Sequence, residues 1–121
     1  MSNTERKYSN IVAKNKFFVK QLDNLGFNRK YLGFYMLIEI MGILINEGVR
    51  VTSFSKQVYP IIANKYGKSC CTVERNIRSL IMKSWSVDLM QKLQKYYPES
   101  FKPTCRDFIF MIKNYISNQI I

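Results

Sequence analysis

Apolar residues along this chain recur at three- and four-residue spacing, the pattern of amphipathic helices rather than of strands. Phe17, Phe18, Leu22 and Leu25 mark a first helix over residues 13–25, with Lys14, Lys16 and Lys20 on its other faces and Gly26 as its C-cap. Asn28 stands where it can cap a second helix running to residue 46. That helix is apolar nearly all round (Tyr31, Leu32, Phe34, Tyr35, Leu37, Ile38, Ile40, Met41, Leu44), which suits the centre of a small fold, and Glu47 with Gly48 ends it. A third helix spans residues 54–66, with Val58, Ile61, Ile62 and Tyr66 inward. Pro60 lies inside it. A proline is tolerated in a first helical turn and otherwise kinks or breaks the helix, so the stretch before Tyr59 is a candidate separate turn.

Gly67, Lys68 and Ser69 follow as a three-residue turn, with a glycine at the helix end and a serine able to cap the next one. The fourth helix, residues 69–85, divides cleanly at about 100° per residue. Val73, Ile77, Leu80 and Ile81, with Ser84, fall on one side and face the core. Cys71, Thr72, Arg75, Arg78, Ser79 and Met82 fall on the other, and Glu74 lies on the flank. A helix, a short glycine-bearing turn and a second helix with a basic outer face make a helix-turn-helix pattern over residues 54–85. A fifth helix covers 87–97, capped by Ser86 and stopped by Pro98. Thr104 caps the last, with Asp107 three residues on as a near capping box and Phe108, Ile112, Tyr115 and Ile116 as its buried stripe. The expected fold is all-α, a compact bundle of about six helices. Residues 1–12 are read as a mobile polar arm and 13–121 as one helical domain. Arg6 and Lys7 on the arm can reach phosphate, but a plain tail is the simpler reading.

Charge changes the picture from fold to function. The 121 residues carry 19 Lys+Arg against 8 Asp+Glu, a net +11, and so large an excess on a small body implies a polyanionic partner. Nucleic acid leads; an anionic membrane surface and a merely basic protein are the other readings. The most apolar stretch, 31–45, carries Glu39 and falls short of the roughly 20 residues a membrane span needs. Histidine is absent, which removes the usual general base and zinc nitrogen ligand. No phosphate-cradling glycine loop, metal spacing or convincing carboxylate pair is present, so neither an enzyme, a cofactor nor a metal site is expected. Three cysteines and no signal peptide point to a reducing cytoplasm.

The outer face of the fourth helix supplies the candidate base contacts: Thr72, Glu74, Arg75, Arg78 and Ser79. An arginine bonds guanine O6 and N7 bidentately, a hydroxyl reaches a base edge or phosphate, and a glutamate accepts from cytosine or orients an arginine. Candidates for phosphate are Lys56, Lys65, Lys68, Ser69, Lys83, Lys102 and Arg106, with Lys92 a further one; these give affinity and register but no sequence information. A charge stripe alone favours a solvated face; it is the turn and the overall charge that bring DNA ahead. Trp85 is expected to pack against the last helices rather than stack on a base.

Three stretches resemble a known family: V-Y-P-I-I-A-N-K-Y at 58–66, T-V-E-R-N-I-R-S-L-I at 72–81 with S-W at 84–85, and K-P-T-C-R-D-F-I-F-M-I at 102–112. They are similar, in order and rough spacing, to the C-terminal DNA-binding effector domain of the stage-zero sporulation master regulator of spore-forming Firmicutes. The resemblance runs from about Tyr31 onward. It implies a six-helix fold with a helix-turn-helix that binds short DNA boxes, often as tandem copies occupied by two protomers. It assigns DNA-facing roles to Glu74 and Arg75, with Arg78 at a basic position further along. Thr72 departs from the pattern, standing where the family usually has a base-reading arginine. The connection between Trp85 and Lys102 is shorter than usual and lacks a glycine-bearing turn. No receiver domain precedes the match, which implies a stand-alone relative or a cut-down piece.

The expectation is therefore a sequence-specific, double-stranded-DNA-binding transcription regulator of the cytoplasm and nucleoid, reading the major groove with helix 69–85. It would act as a homodimer on tandem sites, with RNA polymerase as a candidate contact and no membrane. The rival expectation is an interaction module that modulates the full-length regulator or RNA polymerase with little specific DNA reading.

Overall fold

A computed structural model describes residues 2–96 and 104–120. Among them the chain is all-helical: α1 (Asn3–Lys7), α2 (Ser9–Lys14), α3 (Lys16–Asn24), α4 (Leu32–Met41) running into a π-helical turn (Gly42–Asn46), α5 (Phe54–Gln57), α6 (Tyr59–Tyr66), α7 (Cys70–Ser84), α8 (Val87–Gln94) and α9 (Cys105–Asn118). The bundle has more pieces than the six helices the periodicity predicts, and each extra break has a local cause. Asn15 separates α2 from α3 by donating its side-chain amide to the Ile11 carbonyl at 2.8 Å, a bond that competes with the backbone ladder. Val58 separates α5 from α6, and Pro60 then sits in the first turn of α6, where its missing N–H costs nothing.

The apolar α4 is the centre, as its pattern predicts. Eight of its ten residues are buried, and Phe34, Tyr35, Met36, Leu37, Ile38, Ile40 and Met41 have no exposure at all. One hydrophobic cluster gathers Phe18, Val19 and Leu22 of α3, Val58 and Ile62, Val73, Ile77, Leu80 and Ile81 of α7, Leu89 and Leu93 of α8, and Ile109, Ile112 and Ile116 of α9 around it. Asn28 does not cap α4. Its side chain accepts from the Lys30 N–H at 2.9 Å, closing an Asx turn, and the helix begins at Leu32. Phe17 and Ile61, expected inward, are 41% and 52% exposed; α3 and α6 are short, and each presents one narrow stripe to α4.

Residues 1–12, expected as a mobile polar arm, hold α1 and the start of α2 among the described positions. Tyr8 at their junction lies 5.2 Å, ring to ring, from Tyr35 and 5.4 Å from Tyr66. Ile11 and Val12 also pack on the core. The last helix starts with a full capping box: Asp107 N–H to Thr104 Oγ1 at 3.2 Å and Thr104 N–H to Asp107 Oδ2 at 2.9 Å. The helix expected over 87–97 ends at Gln94 with Lys95 as its C-cap, and residues 97 and 98 lie outside the described residues.

Burial has a consequence at high pH. Tyr35 donates to the Arg29 carbonyl at 2.6 Å, and desolvation, with Glu5 adding to it, pushes its phenol up to about 12. Burial also raises Tyr59 and Tyr66. The unfolded phenols titrate near 10, so the unfolded state loses these protons first. The stability involved is fully present below about pH 10 and drains as pH rises toward about 12. The urea midpoint is expected to fall over that range, and Tyr35→Phe should remove part of the fall. A flat midpoint would contradict the buried placement of these phenols.

Candidate nucleic-acid interface

The turn between α6 and α7 is built by its glycine. Gly67 has φ +63°, a left-handed conformation that side chains disfavour. It lets the Lys68 N–H return to the Ala63 carbonyl at 2.9 Å, which closes α6 and redirects the chain. Ser69 then caps α7, its Oγ accepting from the Thr72 N–H at 3.1 Å. Val73, Ile77, Leu80 and Ile81 are buried against α4 and α6, as the 3.6-residue period predicts. That anchoring leaves the opposite side of α7 outward.

On that side Arg75 and Arg78 are exposed, and Glu74 and Ser79 are half-buried. Arg78 pairs with Glu74 one turn back. Arg75 has no acidic partner among the described residues. The Thr72 hydroxyl is 2.9 Å from Ser69 Oγ, so it is part of the cap. Met82 is 70% exposed at the far end of the same face. Trp85 touches α9 through Phe108, ring centroids 5.1 Å apart, yet remains 44% exposed, so the expected core packing is partial.

The phosphate candidates separate into distinct situations. Lys68 and Ser69 are exposed on the turn, and Lys56 is exposed on α5. Lys65 is bonded to Glu39, whose exposure is much smaller, and its charge is largely answered within the fold. Lys83 lies 4.7 Å over the Tyr31 ring, a cation–π contact. Lys92 bonds Asp88 at 3.0 Å and the Asn24 carbonyl at 2.6 Å, which ties α8 to the end of α3. Arg106 is exposed near the start of α9, its guanidinium 5.5 Å from the Phe110 ring and 6.0 Å from that of Phe54. Lys102 lies outside the described residues.

Glu74, Arg78 and Arg106 meet across a cleft of about 740 Å³ between the segment entering α5, the flank of α7 and the start of α9. Thr52 and Ser53 line its rim, and the sequence reading did not single them out. Gln57 holds them: its Oε1 accepts from the Thr52 and Ser53 N–H groups at 2.7 and 2.8 Å. A glutamine four residues after Ser53, the residue that precedes α5, was the available signal, one place beyond the usual capping box.

The family model described as the sporulation initiation factor Spo0A C terminal matches residues 18–116. The chain belongs to this family. The match takes in nearly all of α3 and all but the end of α9, and so the whole α6–turn–α7 unit. The Spo0A C-terminal family is the DNA-binding domain of the sporulation initiation factor, and this member is accordingly a DNA-binding protein of transcription regulation in sporulation. The family is regulatory rather than enzymatic. Residues 2–17, with α1 and α2, precede the part matched to the Spo0A C-terminal pattern. No helix among the described residues is long and apolar enough to cross a membrane.

Proposed function

We propose that this protein regulates transcription by reading a specific duplex sequence in the major groove with α7. The observation that carries the reading is Arg75: an exposed guanidinium, unanswered by acid among the described residues, on a helix whose other face is locked into the core. It is the side chain best prepared to bond guanine bidentately. Arg78 reaches a base by leaving Glu74 or by carrying Glu74 with it to a cytosine amino group. Ser79 offers a hydroxyl, and Thr72 acts mainly through the Ser69 cap. Lys56, Lys68, Ser69, Lys83 and Arg106 grip phosphate, joined by Lys102; Lys65 contributes less because of Glu39. Two protomers occupy tandem boxes, and the protein works in the cytoplasm without catalysis, metal or cofactor.

A second reading has its own support. Met82, Trp85, Val87 and Met90 are 70%, 44%, 66% and 42% exposed around the junction of α7 and α8. A run of large apolar side chains in water favours a protein contact, RNA polymerase or the full-length regulator. Genomic fragments retained by the protein at near-physiological salt discriminate the two. An enriched motif supports sequence reading by α7; a flat profile overturns it and leaves the interaction module.

Lys68→Ala is expected to weaken binding to every duplex alike. The slope of log K against log salt should flatten by about 0.9, the share of one phosphate contact. A loss confined to one sequence would remove Lys68 from the phosphate set.

A further inference from the structure

We propose that the α1 segment ahead of the family match is a second phosphate-gripping element, in which Lys7 extends the backbone contact of the turn at residues 67–69. The inference rests on reading that turn as a DNA contact. It begins with where Tyr8 is held. Its ring packs on Tyr66, the last residue of α6, immediately before the turn. The other side of the same contact is Tyr35 of the buried α4, so α1 is fixed relative to α7 through the core.

That docking brings Lys7 and Lys68 to the walls of one groove of about 280 Å³, with Asn3 and Thr4 along it. A second groove, which shares Tyr8 and Tyr66 with the first, is lined by Lys7 and Lys65. Lys7 and Lys68 are both exposed and have no ion-pair partner among the described residues, whereas Lys65 is bonded to Glu39. The acid of α1 does not answer them. Glu5 lies in a separate cleft with Arg29 and Tyr35. Two exposed like charges lining one groove beside an amide and a hydroxyl, with the Lys7 ammonium 5.6 Å over the Tyr8 ring, make a place where an anion is favoured. A phosphodiester continuing past the helix-turn-helix turn supplies that anion, and Arg6, exposed next to Lys7, extends the same track.

The test uses the full chain and a random-sequence duplex, with affinity followed by fluorescence anisotropy between about 50 and about 200 mM salt. Four proteins are compared: the wild type, Lys7→Ala, Lys68→Ala, and Lys95→Ala at the end of α8 as a control for losing one charge. All substituted side chains are exposed, and far-UV circular dichroism checks that the helices persist. Lys7→Ala is expected to shrink the fall in affinity across that range by about 3.5-fold, as is Lys68→Ala, with Lys95→Ala unchanged. A flattened slope for Lys68→Ala alone overturns the inference and keeps the turn as a contact. Equal flattening by Lys95→Ala overturns it too, because the effect is then net charge. A flattened slope for Lys7→Ala alone overturns the reading of the turn and, with it, the inference that Lys7 extends the turn's contact. No change in any variant overturns both.

Discussion

Arg75→Ala is expected to lower the preference of this protein for its own site over random duplex by about 1–3 kcal/mol, the discrimination carried by one bidentate arginine–guanine pair. Binding to random DNA should change far less. The asymmetry follows from the neighbours. Arg78 is tied to Glu74, and using it on a base costs part of that pair, whereas Arg75 has no such competitor among the described residues. Arg78→Ala should therefore have the smaller effect of the two. The measurement is a competition titration of a duplex carrying the enriched motif against a scrambled one. Equal loss on both duplexes would make Arg75 a phosphate contact and shift base reading elsewhere on α7. Thr72 bears on the same experiment. Its hydroxyl sits on the Ser69 cap, 2.9 Å from Oγ, and it cannot replace the two-pronged donor that the family pattern carries at that position. The enriched motif is expected to be short or relaxed where that arginine would have read.

The inner face of α7 was legible in the sequence, because a helix of that length repeats its stripe several times, while Ser79, placed outward by the same period, is half-buried. The turn before it was legible too, because a glycine suits the left-handed position at residue 67 best and a serine suits the cap. Short elements were less legible. Phe17 and Ile61 fit an inward stripe by spacing, yet each stands at the edge of a helix of nine or eight residues, where one step of rotation moves a side chain into water. Contacts between distant positions left no trace in the periodicity. Nothing near Lys65 in the chain announces Glu39, 26 residues away, and nothing in the polar run around Tyr8 announces a ring packed on Tyr35 and Tyr66. These long-range pairs separate phosphate candidates that look alike as letters: Lys65 and Lys92 are engaged within the fold, while Lys68 and Lys7 have no ion-pair partner among the described residues.

The largest expected effect on the fold comes from the position that sets where α7 lies. Gly33 of α4 faces α7 so closely that a Cβ placed there would be 2.4 Å from the Asn76 carbonyl oxygen, 2.9 Å from its carbon and 3.1 Å from Leu80 Cβ. A flexible side chain could swing away from such a clash; a helix backbone cannot, so Gly33→Ala must push the two helices apart. Overpacking of this kind costs about 1–3 kcal/mol, and backbone contact puts it at or beyond the upper end. Alanine returns about 1 kcal/mol of helix propensity, leaving a net loss of about 2 kcal/mol. For a chain of 121 residues that is a fall in Tm of about 8 °C. Gly42 supplies the contrast. Its φ of −58° is helical and nothing lies within 4 Å of its Cβ position, so Gly42→Ala should be neutral or raise stability by up to about 1 kcal/mol. The consequence of Gly33→Ala reaches the DNA surface, because Asn76 lies one residue from Arg75. Well below its Tm, where the variant is folded, it should lose preference for the motif while keeping most of its affinity for random duplex. An unchanged Tm would mean that α4 and α7 do not meet at Gly33, and the outward aim of Arg75 would lose its foundation.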